Sequence, residues 1–234
     1  MKYLRKFATE AEVDVDALPN VVLVAESGAV KYNVPIYENG VYIQHIDGIL
    51  YTKEEWSVKG FANEVANGVA VIADECSFVM AKTRAENTKW GGYGKIISNI
   101  VTTDILAEAE KDYLGKSNTE QILEQLKGYT DSKGIKGSPA AEACVNYTFP
   151  NGQQGYLPSL GEWVIAEEKR ATIDSILAYL GGVAVLSAGY IVTSTQYSSE
   201  RYWTQRWDRN APGTNSKSPT YATDEVRPFA PLIF

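Results

Sequence analysis

The sequence predicts an α+β protein, because strand-like segments lie towards both ends of the chain and helix-like segments lie between them. The stretch NGVYIQHIDGILYT, residues 39–52, has the pattern of a β-hairpin with Asp47-Gly48 at its turn. Residues 68–81, GVAVIADECSFVMA, predict two further strands around Asp74-Glu75. The polar, glycine-rich residues 81–97 that follow predict a loop.

The middle of the chain begins with two predicted helices. Residues 102–115, TTDILAEAEKDYLG, predict a helix that ends at Gly115. A capping-box pattern at Ser117 and Glu120 predicts the start of the next helix, and Gly128 predicts its end.

Three more helices are predicted between residues 138 and 182. Ser138-Pro139 has the pattern of an N-cap followed by proline at the first helical position. Ser159 and Glu162 form a second capping-box pattern, so helix capping and core packing are preferred over catalysis for Glu162-Trp163. Residues 171–182 place apolar side chains on one helical face and end in Gly-Gly.

The two ends of the chain differ in character. Strand candidates close it at residues 190–195, 201–207 and 226–234. Residues 1–36 alternate acidic and small apolar residues and then give short strands broken by turn residues. Such a segment buries little apolar surface by itself, so we predict an arm that packs on a partner or a neighbouring subunit. Residues 37–234 are predicted to form one domain.

Charge and hydropathy exclude two classes of partner. The 234 residues carry 22 basic and 29 acidic side chains, which gives a formal net charge of −7. Nucleic acid is therefore not the expected partner, because phosphate binding needs a basic surface. The sequence holds no run of about eighteen apolar residues and no secretory leader, so neither membrane insertion nor Sec-type export is expected.

The cysteines and the histidine give no pattern for a metal or a catalytic centre. Cys76 and Cys144 lie far apart without CxxC spacing, which makes a structural zinc site improbable. Two buried thiols are the preferred interpretation, and one disulfide between them remains an alternative. His45, the single histidine, is interpreted as a polar residue of the first hairpin.

Several motifs in residues 140–234 follow a familiar order. They are YTFPNGQQGYLPSLGEW at 147–163, a helix ending in LGG at 180–182, TSTQYSSERYWTQRW at 193–207, and VRPFAPL at 226–232. This order resembles the C-type-lectin-fold proteins of gut Bacteroidales and their phages. That group includes variable proteins diversified by retroelements, such as the major tropism determinant of a phage tail. The LPSLGEW box is also similar to one in the formylglycine-generating branch of the fold.

The resemblance implies a particular architecture. A C-type lectin-like domain would span residues 37–234, with an antiparallel sheet, flanking helices, paired terminal strands and a long irregular loop region. A display segment at 194–226 would present ligand contacts on this scaffold, since loops on rigid scaffolds commonly carry function. The arm at 1–36 would serve docking or oligomerisation, and the resemblance implies a homotrimer.

The resemblance and the alternation of side chains along a strand together predict the display surface. We expect Trp203 and Trp207 to be buried anchors, and the opposite face, which carries Tyr202, Thr204 and Arg206, to be displayed. The segment has the composition of antibody loops, rich in Tyr, Ser, Asn and Arg.

The candidate ligand-binding residues are Tyr197, Ser198, Ser199, Arg201, Tyr202, Thr204, Arg206, Asp208, Asn210 and Thr214. The resemblance implies fixed residues at Ser194, Thr195, Trp203, Trp207, Val226 and Arg227. Plain solvent exposure is the alternative interpretation for Tyr202, Arg206 and Asp208.

Three classes of function follow from these observations. The first is a receptor-binding display module, a phage tail or head-fibre protein that attaches to a bacterial surface glycan or protein, with or without diversification by a retroelement. The alternative is a structural virion protein, such as a capsid decoration, in which the domain is mainly scaffold. An enzyme is not expected, because no cysteine follows Cys144 and His45 lies far upstream, although a carboxylate pair for glycoside cleavage stays open.

Cofactors, partners and location follow from the same reasoning. No cofactor is expected, and no lectin-type calcium site, because the EPN, QPD and WND triplets of sugar-binding relatives are absent. The expected partners are a bacterial cell-surface glycan or protein and, through the arm, other virion proteins. The expected location is the phage particle, or otherwise the cytoplasm until assembly.

Overall fold

The structure, a computed structural model, describes residues 37–85, 89–185, 189–207, 212–217 and 225–233, together with the backbone of two short strands near the N-terminus. These residues form an α+β fold with antiparallel sheets, as the sequence predicts. The two N-terminal strands, β1 (Val21–Val24) and β2 (Tyr32–Pro35), pair as an antiparallel two-stranded sheet. The remainder of the predicted arm lies outside the described residues.

A five-stranded sheet combines four strands from the first part of the domain with its last strand. Its strands are β3 (Gly40–His45), β4 (Leu50–Tyr51), β5 (Ala66–Ile72), β6 (Ser77–Met80) and β10 (Phe229–Pro231). They lie in the order β10-β6-β5-β3-β4, and every neighbouring pair is antiparallel. The predicted hairpin at 39–52 is confirmed, and Gly48 takes the φ of 96° that its turn requires.

The expected pairing of the terminal strands of the domain differs in the structure. The last strand, β10, pairs with β6, and two strands separate it from β3. A side-chain contact takes the place of that pairing, because Gln44 Nε2 donates to the carbonyl oxygen of Ile233 at 2.7 Å. The strand pairing expected from the resemblance was therefore wrong.

A three-stranded antiparallel sheet carries the predicted display segment. It consists of β7 (Ile191–Gln196), β8 (Arg201–Gln205) and β9 (Gly213–Ser216), in that order. The strands β7 and β8 confirm the candidates predicted there. The sequence did not predict β9, because GTNS has little strand propensity and its pairing with β8 determines its conformation.

Six helices lie among the described residues. Their bounds are α1 (Lys53–Lys59), α2 (Leu106–Ala109), α3 (Gly115–Leu126), α4 (Pro139–Val145), α5 (Leu160–Glu168) and α6 (Arg170–Tyr179). The predicted caps are confirmed at Ser138, whose hydroxyl accepts from Ala141 N, and at the Ser159–Glu162 capping box. None of these helices is both long and apolar enough to cross a membrane.

The prediction for residues 102–115 was wrong. Only α2, a helix of four residues, forms there, and Gly115 begins α3 instead of ending the helix before it. A Cβ on Gly115 would lie 2.8 Å from the backbone nitrogen of Ser159, so this glycine permits close packing. Because α3 begins at Gly115, Ser117 lies inside the helix and its predicted capping box is not used.

The main core lies between the five-stranded sheet and α5 and α6. Phe78 and Phe229 stack with ring centroids 4.4 Å apart, and Trp163 packs against Phe229 at 4.8 Å. Large aromatic side chains buried in this way supply much of the free energy of folding. Cys144 is buried and Cys76 is half-buried, and the two thiols are not paired, so the disulfide alternative is excluded.

Candidate functional site

Strand β7 gives the predicted display segment a buried base. All six of its residues are buried, although four of them are polar. Their side chains bond inside the protein: Thr193 Oγ1 donates to the carbonyl of Trp203 at 2.6 Å, and Gln196 Nε2 donates to Thr102 Oγ1 at 2.7 Å. Buried polar groups that are hydrogen-bonded fix one arrangement of the strands around them.

The turn between β7 and β8 projects from this base and is fixed by its own backbone. The amides of Tyr197 and Ser198 both donate to the carbonyl of Arg201, at 3.1 and 3.0 Å. The Ser198 hydroxyl accepts from the amides of Glu200 and Arg201, at 3.2 Å each. The turn therefore has a defined shape before any ligand binds.

Two other segments hold the outer side of this turn. The amide of Gly94, in the glycine-rich loop, donates to the carbonyl of Ser199 at 2.9 Å. The amide of Lys217, just after β9, donates to the carbonyl of Glu200 at 2.9 Å. Gly94 has a φ of 86°, a conformation that glycine adopts without strain.

Five predicted ligand-binding residues meet on one surface at this end of the sheet. Arg201 is exposed, and its guanidinium donates to the Thr214 hydroxyl at 3.2 Å. The Tyr197 ring packs edge-on against Trp203, with centroids 5.3 Å apart. The hairpin patch, as we name this surface, consists of Tyr197, Ser198, Ser199, Arg201 and Thr214.

The prediction that Tyr202 and Thr204 are displayed was wrong. Both are 0% exposed. Tyr202 stacks on Trp90 of the glycine-rich loop, with ring centroids 6.1 Å apart. Both faces of β8 are covered, one by Trp90 against Tyr202 and the other by Leu160 of α5 against Trp203. The exposed Arg201 lies on the same face as Trp203.

The other end of β8 is separate from the hairpin patch. Arg206 is half-buried and its guanidinium lies over the Tyr190 ring, 5.6 Å from the centroid. Trp207 is buried, as predicted, and its indole Nε1 donates to the Asp174 carboxylate at 3.1 Å. The predicted binding residues Asp208 and Asn210 lie outside the described residues.

A buried lysine that was not predicted from the sequence lies beneath the hairpin patch. Lys217 is 0% exposed. Its Nζ donates to the carbonyl of Lys95 at 2.7 Å and to Gln196 Oε1 at 2.5 Å, and it lies 4.5 Å from the centroid of the Trp90 ring. No carboxylate in the described part of the chain pairs with it, and burial lowers its pKa to about 7.

A second buried network lies where α5 begins. Glu162 accepts hydrogen bonds from the Tyr156 hydroxyl and the Ser159 amide, each at 2.8 Å, and burial raises its pKa to about 8. Asp112 accepts from the Thr195 hydroxyl at 2.7 Å, and burial raises its pKa as well. These bonds join scaffold elements to one another, and the capping and packing predicted for Glu162 are present in the structure.

The closing segment is fixed by a buried ion pair. Arg227 Nε donates to Glu225 Oε1 at 2.6 Å, and both side chains are fully buried. The remaining nitrogens of Arg227 donate to the carbonyls of Ala81 and Val183, each at 2.9 Å. An arginine bonded on all sides in this way joins β10 to the end of β6.

Neither a metal-ligating cluster nor a known relative identifies the site. Within the described residues, no group of three or more His, Cys, Asp or Glu side chains is placed to hold a metal ion. Comparison with protein-family models, with curated proteins and with solved structures gave no match to this chain. The geometry of the hairpin patch is therefore the basis for a functional hypothesis.

Proposed function

We propose that this protein is a ligand-binding display module that presents the hairpin patch to a structure on a bacterial surface. One observation carries the proposal. The exposed Arg201 and the half-buried Tyr197, Ser198 and Ser199 stand on a turn whose backbone is already fixed by main-chain hydrogen bonds, and the half-buried Thr214 lies beside them on β9. Binding then needs little ordering of the loop, and pre-organisation of this kind improves affinity.

The finer assignments belong to the same proposal. The motif order in residues 140–234 supports a C-type lectin-like domain in a phage-encoded receptor-binding protein, which we propose to be a trimer that binds its ligand without catalysis. The capped α5 and the sheet that carries the hairpin patch support this assignment. The pairing of β10 with β6 departs from the strand pairing the resemblance implies.

Binding to whole cells tests the proposal. Labelled protein is applied to a panel of gut Bacteroidales strains, next to a variant that carries Ser199→Ala and Arg201→Ala. A matched control carries Ser57→Ala and Lys59→Ala on α1, where both residues are exposed. We expect the wild type and the control to bind the same strains and the patch variant to lose at least about tenfold in affinity. Equal binding by all three proteins would show that the hairpin patch is not the site.

A structural role in a phage particle is the second candidate, and the hairpin β1–β2 favours it. Within the described residues it pairs with no other strand, and an isolated two-stranded hairpin is only marginally stable in water. Packing on another virion protein would supply the missing contacts. Deletion of residues 1–36 should then prevent incorporation into particles while leaving the domain folded, and normal incorporation would contradict this role.

A further inference from the structure

Two large aliphatic side chains are exposed beside the hairpin patch. Ile105 is 52% exposed and Leu106 is 39% exposed, at the start of α2. The segment that precedes them is fixed to the sheet, since Trp203 Nε1 donates to the carbonyl of Thr103 at 2.8 Å. The Thr103 amide donates to the carbonyl of Gln196 at 3.2 Å, one residue before the patch begins.

These aliphatic side chains are not needed to hold α2 in place. In α2 only Ala109 is buried, and it packs against Leu160 and Trp203. The Ile105 amide donates to Thr103 Oγ1 at 3.1 Å, so the backbone at this point is fixed by polar contacts. Exposed apolar surface beside a polar rim is typical of a protein interaction site.

The chemistry of the hairpin patch together with Ile105 and Leu106 distinguishes between a glycan and a protein as the ligand. A saccharide would be bound mainly by exposed aromatic ring faces and hydrogen bonds. Here Tyr202, Trp203 and Trp207 are buried, and Tyr197, the one aromatic residue of the hairpin patch, is half-buried with its ring packed edge-on against Trp203. Aliphatic side chains next to an aromatic residue and an arginine are instead the usual composition of the core of a protein–protein interface.

The charge of Arg201 indicates which group the partner offers. The Arg201 guanidinium is exposed and bonds to Thr214, and in the described part of the chain it forms no ion pair. An arginine held in position by a hydroxyl is suited to a carboxylate on the partner, which it can bind through two parallel hydrogen bonds.

We infer that the ligand of the hairpin patch is a protein surface, one that offers apolar side chains to Ile105 and Leu106 and a carboxylate to Arg201. This inference rests on the proposed function and names the class of ligand for the same site.

The test uses a bacterial strain that the full-length protein binds, in two separate treatments of the cells. Proteinase K removes surface proteins, and periodate oxidises the vicinal diols of surface glycans. We expect proteinase K to abolish binding and periodate to leave it within about twofold. Binding lost to periodate and retained after proteinase K would overturn the inference and leave the proposed function standing. If the wild-type protein binds no strain, the proposed function fails and the inference fails with it.

Variants of the aliphatic residues provide the second arm. Ile105→Asn with Leu106→Asn should weaken binding by about tenfold or more, because a few apolar anchors carry most of the affinity of a protein–protein interface. The matched control is Val58→Asn, since Val58 is 88% exposed on α1. Ile105→Ala with Leu106→Ala repeats the test if asparagine disturbs α2. Wild-type affinity in a variant that folds, judged by circular dichroism, would overturn the inference.

Discussion

Replacing the buried Lys217 by methionine should remove a specific pH dependence of stability. The lysine ammonium lies beneath the hairpin patch with two carbonyl-type acceptors and no carboxylate among the described residues. Methionine fills a similar volume and has no charge. The variant therefore loses the titration of this side chain together with its two hydrogen bonds.

The magnitude follows from the two pKa values. Burial lowers the pKa of Lys217 from 10.5 to about 7, and unfolding restores the ordinary value. Between these values the unfolded chain binds more protons at this residue, so the free energy of unfolding rises as the pH rises. The difference between the two pKa values changes the free energy of unfolding by on the order of 4 kcal/mol between pH 7 and pH 10.5. The lost hydrogen bonds cost about 1–3 kcal/mol each, a contribution that does not change with pH.

Urea unfolding at several pH values, from about 6.5 to about 10, measures the effect with a reductant present to keep both thiols reduced. The quantity of interest is the difference in unfolding free energy between the wild type and Lys217→Met. We expect the wild type to gain on the order of 4 kcal/mol of stability relative to the variant as the pH rises over this range. Lys116→Met, at an exposed lysine, should show no such shift. A difference that is constant with pH would refute the reasoning, because it would mean that Lys217 is solvated.

Three further predictions concern the scaffold. The folded-state pKa of Glu162, about 8, exceeds its ordinary value of 4.5, so this residue lowers the free energy of unfolding as the pH rises between the two values. In urea unfolding over this range, Glu162→Gln should therefore become more stable relative to the wild type. Gly115→Ala should lower the unfolding free energy by about 1–3 kcal/mol, because its Cβ would lie 2.8 Å from Ser159 N; an unchanged melting temperature would contradict this. Gln205→Met should raise the unfolding free energy by about 1 kcal/mol, because both amide atoms of Gln205 are buried and have no hydrogen-bond partner among the described residues; calorimetry that shows a loss would contradict it.

Local signals in the sequence were sufficient for most secondary structure. The caps at Ser138 and Ser159 and the turn at Gly48 depend on residues a few positions apart, so the sequence contains all of the necessary information. Gly115 shows the limit of such signals. A glycine that ends a helix and one that admits a neighbouring strand or loop look the same in sequence, and only the position of Ser159 distinguishes them.

The candidate site depended more on contacts distant in sequence. Alternation along β8 assigned its tryptophans to one face and its polar residues to the other, and it predicted that only the first face is buried. The loop that carries Trp90 covers Tyr202 on the second face, about a hundred residues away in sequence. The burial of Lys217 has the same origin, since its acceptors come from Lys95 and Gln196.

The bonding of the hairpin turn has a consequence for its mutational tolerance. The turn is held through the backbone of Ser199, Glu200 and Arg201, so side chains at these three positions can change to any residue but proline without loss of a turn hydrogen bond. Ser198 is different, because its hydroxyl accepts two of those bonds. A library of all residues except proline would therefore keep its folded fraction at 199–201 and lose it at 198. New binding specificities can then arise at these positions in single steps, without compensating changes elsewhere in the protein.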